Sequence, residues 1–306
     1  MGKLSGCIYI ALLIFFSGIY VGNIFAKSDF VLPDPGLTPE SPFYFLDLWD
    51  ENARLFFTRS DSSRLKRYEA RILERLSEAD ALAGKGISAT QRALELYRAD
   101  VPFFYATAER LDDDLILADA LRMALEHLDA LDHISERTNF EKKRFVVTTK
   151  IVVIEQQLQS LHSFAKRDPA DALRIFGDAL QRRMARIREV AIDDQNNEEA
   201  FNEYAAYMSE ADRIIGDGDM VEVDGLSPAA FLARTVRGHE ETLLGPVRER
   251  IAFTLEKELL LVVNGVRNLS GKEHMRMLPL VLPVTPFTET STSSSTPSVA
   301  TSSSAL

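Results

Sequence analysis

The segment "EHLDALDH", Glu126 to His133, sets three metal-capable side chains at helical spacing. Glu126, Asp129 and His133 stand at i, i+3 and i+7, so a helix would carry all three on one face. Two carboxylates and an imidazole suit a divalent ion, although a complete site needs further ligands from a second helix. A solvated polar face is the simpler account, because acidic helices produce such spacing by composition alone. A second stretch, "DGDMVEVDG" (Asp217 to Gly225), resembles a calcium loop. Val221 stands where the third oxygen ligand belongs, Glu222 replaces the required glycine, and Pro228 falls where the closing Glu belongs. A polar connection between helices fits it better. Asp112, Asp113 and Asp114 could offer carboxylates for acid–base work, but negative charge opening a helix also meets the positive end of its dipole.

Other chemistry has no carrier in this sequence. The phosphate-loop, dinucleotide, nucleophile-elbow and H-E-x-x-H patterns are absent. His162, His239 and His274 have no neighbouring acid or nucleophile in a pattern that makes a case for catalysis. The expectation is therefore no catalytic residue and no cofactor, with Glu126, Asp129 and His133 as the metal candidates.

The elements that would position such residues are helices. Leu65, Tyr68, Ile72, Leu76, Ala79 and Ala83 advance by three or four and form one stripe. The same steps recur in Leu117, Leu121, Ala124, Leu128 and Leu131, and in Val147, Ile151, Ile154, Leu158, Leu161 and Ala165. They appear again in Leu173, Phe176, Leu180, Met184 and Ile187, and in Ala252, Leu255, Leu259, Val262 and Val266. Each helix has one side to bury, which predicts an all-α, multi-helix bundle of amphipathic antiparallel helices. "FVVTTKIVVI" (Phe145 to Ile154) is β-branched enough for a strand, but its stripe continues through Leu161 and predicts a buried helix.

Capping chemistry marks the ends. Ser88 with Gln91, Thr138 with Glu141 and Asn196 with Glu199 have capping-box spacing. Asp168-Pro169 and Ser227-Pro228 place an oxygen acceptor before a first-turn proline. Gly84-Lys85-Gly86 and Gly216-Asp217-Gly218 read as helix stops.

The two ends of the chain differ from this body. Leu4 to Ala26 is uncharged, with an apolar run from Ile8 to Val21, and reads as a cleaved secretory signal or an uncleaved anchor. Either predicts export. Cys7 is the only cysteine, so the exported part would stand on packing without disulfides. Thr285 to Leu306 is rich in Ser and Thr and reads as a disordered tail. The net charge of −11 excludes nucleic acid as a partner and disfavours anionic head groups. Lys142-Lys143-Arg144 and Arg182-Arg183-Arg186 have acidic neighbours, which predicts solvated faces. Membrane contact is then expected only through the N-terminal segment, if uncleaved.

"LPDPGLTPESPFYFLDLW" (Leu32 to Trp49) is a stiff entry into the first helix. Its prolines lack amide donors and hold their predecessors extended. Ser41 and Pro42 are expected to launch a helix whose Phe45, Leu48, Trp49, Asn52 and Phe56 pack as core. This stretch, followed by "ILERLSEADAL" with Glu74, Arg75, Leu76, Glu78 and Ala79, and by "ALELY" (Ala93 to Tyr97), resembles exported bacterial proteins of the domain-of-unknown-function family 5667. The resemblance covers about residues 32–100 and implies helices without an assigned activity.

The expected organisation is a signal or anchor at 1–26, a proline-rich spacer at 27–41 and an N-terminal helical module at 42–111. A C-terminal helical bundle at 112–266, a connecting segment at 267–284 and the tail at 285–306 follow. The leading functional expectation is a non-enzymatic, envelope-associated interaction or structural module whose partner is an envelope protein or glycan. The alternatives are a carboxylate-dependent hydrolase of wall polymers and a metal-binding or sensing bundle.

Overall fold

Capping side chains set the register of the helices. In the computed structural model, residues 31–85, 87–190, 197–217, 221–247, 260, 262–269 and 271 are described. Helix α1 runs Tyr44–Phe56 and α2 runs Asp61–Leu82. They are followed by α3 (Ile87–Arg110), α4 (Asp114–Arg137), α5 (Phe140–Ala165), α6 (Pro169–Val190) and α7 (Asn197–Asp217). Two short helices, α8 (Pro228–Thr235) and α9 (His239–Thr242), close the described body, and residues 262–269 are again helical. Among the described residues there is no strand, only an isolated bridge between Val223 and Leu226. None of their helices is long and apolar enough to cross a membrane. The expectations for Met1 to Ala26, Thr285 to Leu306, the Asn196 cap and the first part of the last apolar stripe lie outside the described residues.

Ser60, Asp113, Asn139 and Ser227 each accept a backbone N–H of the turn they open, as does Asp168 from Asp171. Asp168 and Ser227 were expected caps. The expected cap Thr138 is displaced by Asn139 beside it, and Ser88 lies inside α3 rather than at its start. Asp113 and Asp114 open α4, where their charge meets the helix dipole. In the loop after α7, Asp224 and Gly225 both take positive φ and fold a tight turn back onto Leu226.

Short connections turn each long helix back along its predecessor, and α2 packs on α3, α4 on α5, and α6 on α7. Helix α5 also contacts α3, α6 and α7, so it lies at the centre. This is why Phe145 to Ile154 is helical despite its β-branching: tertiary burial on several sides overrides weak local propensity. Its buried positions include Val146, Lys150, Val153, Gln157 and Phe164. Of the expected stripe, Ile154, Leu161 and Ala165 are buried, Val147 and Leu158 are half-buried, and Ile151 alone faces solvent. The stripes of α2, α4 and α6 are buried throughout. Gly177 of α6 sits beneath Phe231 and Thr235 of α8, and a methyl group there would stand 3.4 Å from both side chains.

Helix α1 corrects the expectation about the aromatics. It begins at Tyr44 without a side-chain cap, two residues after Pro42. Ser41 instead supports the turn before it, its Oγ accepting from the amide of Phe43 at 3.2 Å. Tyr44 is buried, and Leu48 and Leu55 are half-buried, but Phe45, Trp49 and Phe56 face solvent, Trp49 with 71% of its surface exposed. The reason is electrostatic. Arg75 of α2 is fully buried and needs counter-charge, and turning Glu51 of α1 inward supplies a carboxylate. The aromatic face is then left outside. Trp49→Ala is therefore expected to change stability by no more than about 0.5 kcal/mol, as for an exposed position. Trp49 is the sole tryptophan, so native emission should already be red-shifted. Blue native emission with a large loss of stability on substitution would show that this face is covered.

Candidate functional site

The charges inside the bundle form two clusters. The first joins α1, α2 and α3. Arg75 is ion-paired to Glu78 on its own helix and to Glu51 on α1. The Tyr44 hydroxyl donates to Glu78 Oε2 at 2.9 Å, and the guanidinium lies 5.5 Å from the Tyr44 ring centre. Arg71 contacts Asp100 of α3 at 3.1 Å and Glu51 at 3.6 Å. Beside this lattice, carboxylate oxygens of Asp47, Glu51 and Glu74 all lie within 4.8 Å of one another. Burial, then repulsion from Glu51, pushes Glu74 up to about 7, and Asp47 is raised by burial and the same neighbour. Three oxygens so close can share a proton, and they are the residues that could hold a hard cation.

Sharing a proton has a sign that can be checked. Glu74 binds a proton in the folded protein up to about pH 7 and in the unfolded chain only to about 4.5. Between those values the folded state holds more protons, so stability falls as pH rises through the window and levels above it. Glu74→Gln removes that slope. At pH 8 it should be more stable than the parent by about 1–2 kcal/mol, the full linkage being reduced by solvent screening. At pH 5 the two should agree. Parallel denaturant midpoints across this range would contradict the shared proton.

The second cluster lies where α4, α5, α6 and α7 meet. Lys150 of α5 is buried and ion-pairs Asp132 of α4 and Glu199 and Glu203 of α7. Arg183 of α6, 1% exposed, contacts Asp129 at 2.8 Å, Asp132 at 2.9 Å and Glu203 at 2.8 Å. Burial opposes the charge on Lys150, yet its three carboxylates hold its pKa above the ordinary lysine value. Burial likewise opposes ionisation of Asp132, but Lys150, Arg183 and Arg186 draw it down to about 2. Lys150, Arg183 and Asp132 are therefore all charged at neutral pH. Near the cluster Gln157 donates to the Leu121 carbonyl at 2.8 Å and receives the Tyr207 hydroxyl.

Two tyrosine–histidine pairs complete the polar interior. Tyr97 of α3 hydrogen-bonds His127 Nδ1 at 2.9 Å, and Tyr204 of α7 hydrogen-bonds His239 Nδ1 at 2.8 Å. Burial pushes His127 down to about 3, and burial with Arg188 nearby takes His239 to about 4. Both imidazoles are neutral at physiological pH and act as hydrogen-bonding struts rather than proton carriers.

The expected metal candidates share α4, and Asp129 and His133 are drawn to separate partners. Asp129 is bound by Arg182 at 2.6 Å and by Arg183, and His133 Nδ1 lies 3.3 Å from Asp80 of α2. The acids that do converge, Asp47, Glu51 and Glu74, come from two helices and a span of 28 positions, so no local motif marks them. Of the basic groups expected on solvated faces, Arg144 is exposed, but Lys142, Arg183 and Arg186 are not. Arg183 and Arg186 are buried, and Lys142 donates its ammonium to the carbonyls of Ala83, at 3.0 Å, and Lys85, closing the α2–α3 turn. A signal existed. Arg75 stands between Ile72 and Leu76, Lys150 between Val146 and Val153, and Arg183 between Leu180 and Met184, each on an apolar stripe.

Surface hollows are formed by the described residues. One is lined by Arg174, Asp178, Asp224 and Arg234 and another by Arg54, Phe57, Arg59 and Arg67. The carboxylate trio lines neither. Residues 36–151 match the model of a domain of unknown function (DUF5667), which takes in α1 to α4 and the first half of α5. The match runs past residue 100, where the resemblance carried by the motifs ended. No curated protein and no solved structure matches the chain.

Proposed function

We propose that this chain is a non-enzymatic interaction module of the cell envelope, a helical bundle exported from the cytoplasm that presents α1 to a partner. The observation that carries this is the orientation of α1. A helix that packs through charged residues and shows Phe45, Leu46, Trp49 and Phe56 to solvent keeps a contiguous apolar face free for another surface. The uncharged Leu4 to Ala26 segment supports export. The buried carboxylates weigh against a wall-polymer hydrolase. Glu51, Glu78, Asp132 and Glu203 are engaged by Arg75, Lys150 and Arg183, and a general acid or base must reach its substrate.

The test is cross-linking on intact cells with a membrane-impermeant reagent. The protein should be labelled and should carry its cross-links on α1. Protein protected from reagent until the cells are opened would refute export, and activity on wall polymer would refute the non-enzymatic reading.

A further inference from the structure

The exposed face of α1 continues into a tip that differs in charge from the rest of the protein. Phe56 and Phe57, at 82% and 77% exposure, stand edge to face at the end of α1, with ring centres 5.3 Å apart. Phe57 shares a surface hollow with Arg54, Arg59 and Arg67. The one acid lining that hollow is Asp50, paired with Arg54 at 2.5 Å, so two arginines remain in excess. Asp61 behind the tip is bound by Arg64 and Arg110, and Asp47 and Glu51 turn inward toward Arg75. A chain of net charge −11 thus gathers positive charge and bare aromatic rings in one place.

That combination matches a lipid–water boundary. Aromatic and aliphatic side chains enter the head-group region along one side of a helix lying in the plane, and arginines beside them meet anionic phosphates. The chain upstream fits the same target. The apolar run ends at Val21 and α1 begins at Tyr44, a separation that even fully extended chain could stretch to no more than about 80 Å. A run retained in a bilayer would hold α1 within that distance of it. We infer that α1 and the Phe56–Phe57 tip dock onto an anionic phospholipid surface, with Trp49, Phe45 and Leu46 in the interface and Arg59 and Arg67 on the phosphates. This inference rests on the interaction-module reading and assigns its partner. It also extends membrane contact beyond the N-terminal segment.

Trp49 lies in the face that docks, so it reports the event. The full-length chain is reconstituted into vesicles of phosphatidylcholine alone or mixed with phosphatidylglycerol, each with and without brominated acyl chains. Docking predicts a blue shift of Trp49 emission and its quenching by brominated lipid, stronger in the anionic vesicles and weakened by salt. Arg59→Ser with Arg67→Ser should lower the docking equilibrium on anionic vesicles about thirtyfold, from two arginine–surface contacts. Phe56→Ser with Phe57→Ser should abolish quenching, and circular dichroism should show the helices of both variants intact. Trp49 emission that stays red and unquenched in both lipids overturns the inference. So does a blue shift that appears without brominated-lipid quenching and grows with protein concentration, which would make a second copy the occupant. Vesicle docking is independent of where cells place the protein, so its failure is separable from a failure of export.

Discussion

Arg183→Ala is expected to destabilise the bundle by about 3–5 kcal/mol, the cost of stripping a counter-charge from a buried ionic network. Arg183 contacts Asp129, Asp132 and Glu203, and Asp132 and Glu203 are themselves buried. Without the guanidinium, Lys150 must balance Asp132, Glu199 and Glu203 with help only from Arg186 on Asp132. An uncompensated carboxylate away from water then has to protonate, admit water or leave the interior. Arg183→Lys should recover only part of the loss, since an ammonium cannot bridge three carboxylates with a fixed fork of donors. A guanidinium-chloride midpoint checks this directly, with Arg213→Ala in the exposed pair with Glu210 as the reference, expected within about 0.5 kcal/mol. A shift for Arg183→Ala no larger than the reference would mean the cluster is hydrated.

The network does more than add stability. It takes one charge or more from each of α4, α5, α6 and α7, so sliding any of these helices by a turn would part several pairs together. Replacing the whole set by apolar side chains of similar volume is often neutral or stabilising in comparable cores. The network is therefore read as a device that selects one register of four helices.

Arg75→Met carries the second large effect, again about 3–5 kcal/mol from a buried charge cluster left unbalanced. Arg75 satisfies Glu78 within α2 and Glu51 across to α1, and Tyr44 covers it. Methionine keeps much of the volume, so the loss reads as charge rather than cavity. Its second consequence is local. Apart from Tyr44, Leu48 and Leu55, helix α1 meets the bundle through this lattice, so amide hydrogen exchange along Tyr44–Phe56 should rise more than along α4 or α5. Uniform protection across all helices would show that apolar contacts hold α1. Glu51→Gln keeps a hydrogen-bonding partner for Arg75 and should cost less than Arg75→Met.

Much of this protein was determined by its sequence alone. Apolar residues at steps of three and four in α2, α4 and α6 are the buried ones, because helical geometry turns that spacing into a single face. Asp168 and Ser227 could be read as caps because their oxygens need only a local backbone donor. The motifs around Pro33 to Asp47 and Glu74 to Ala79 pointed, without any coordinates, to the family whose model matches residues 36–151. Tertiary structure decided which charges go inside and which face of α1 goes outside. The periodicity of α1 favours burying Phe45, Trp49 and Phe56, and no local rule reverses that preference. It is reversed because Arg75, some twenty-five residues on, is already buried and Glu51 can reach it. Lys150, Arg183 and the carboxylate trio follow the same logic. A hydrophobic stripe is a property of one helix, but the cost of burying a charge depends on counter-charges that other helices bring, and only the folded chain sets those distances.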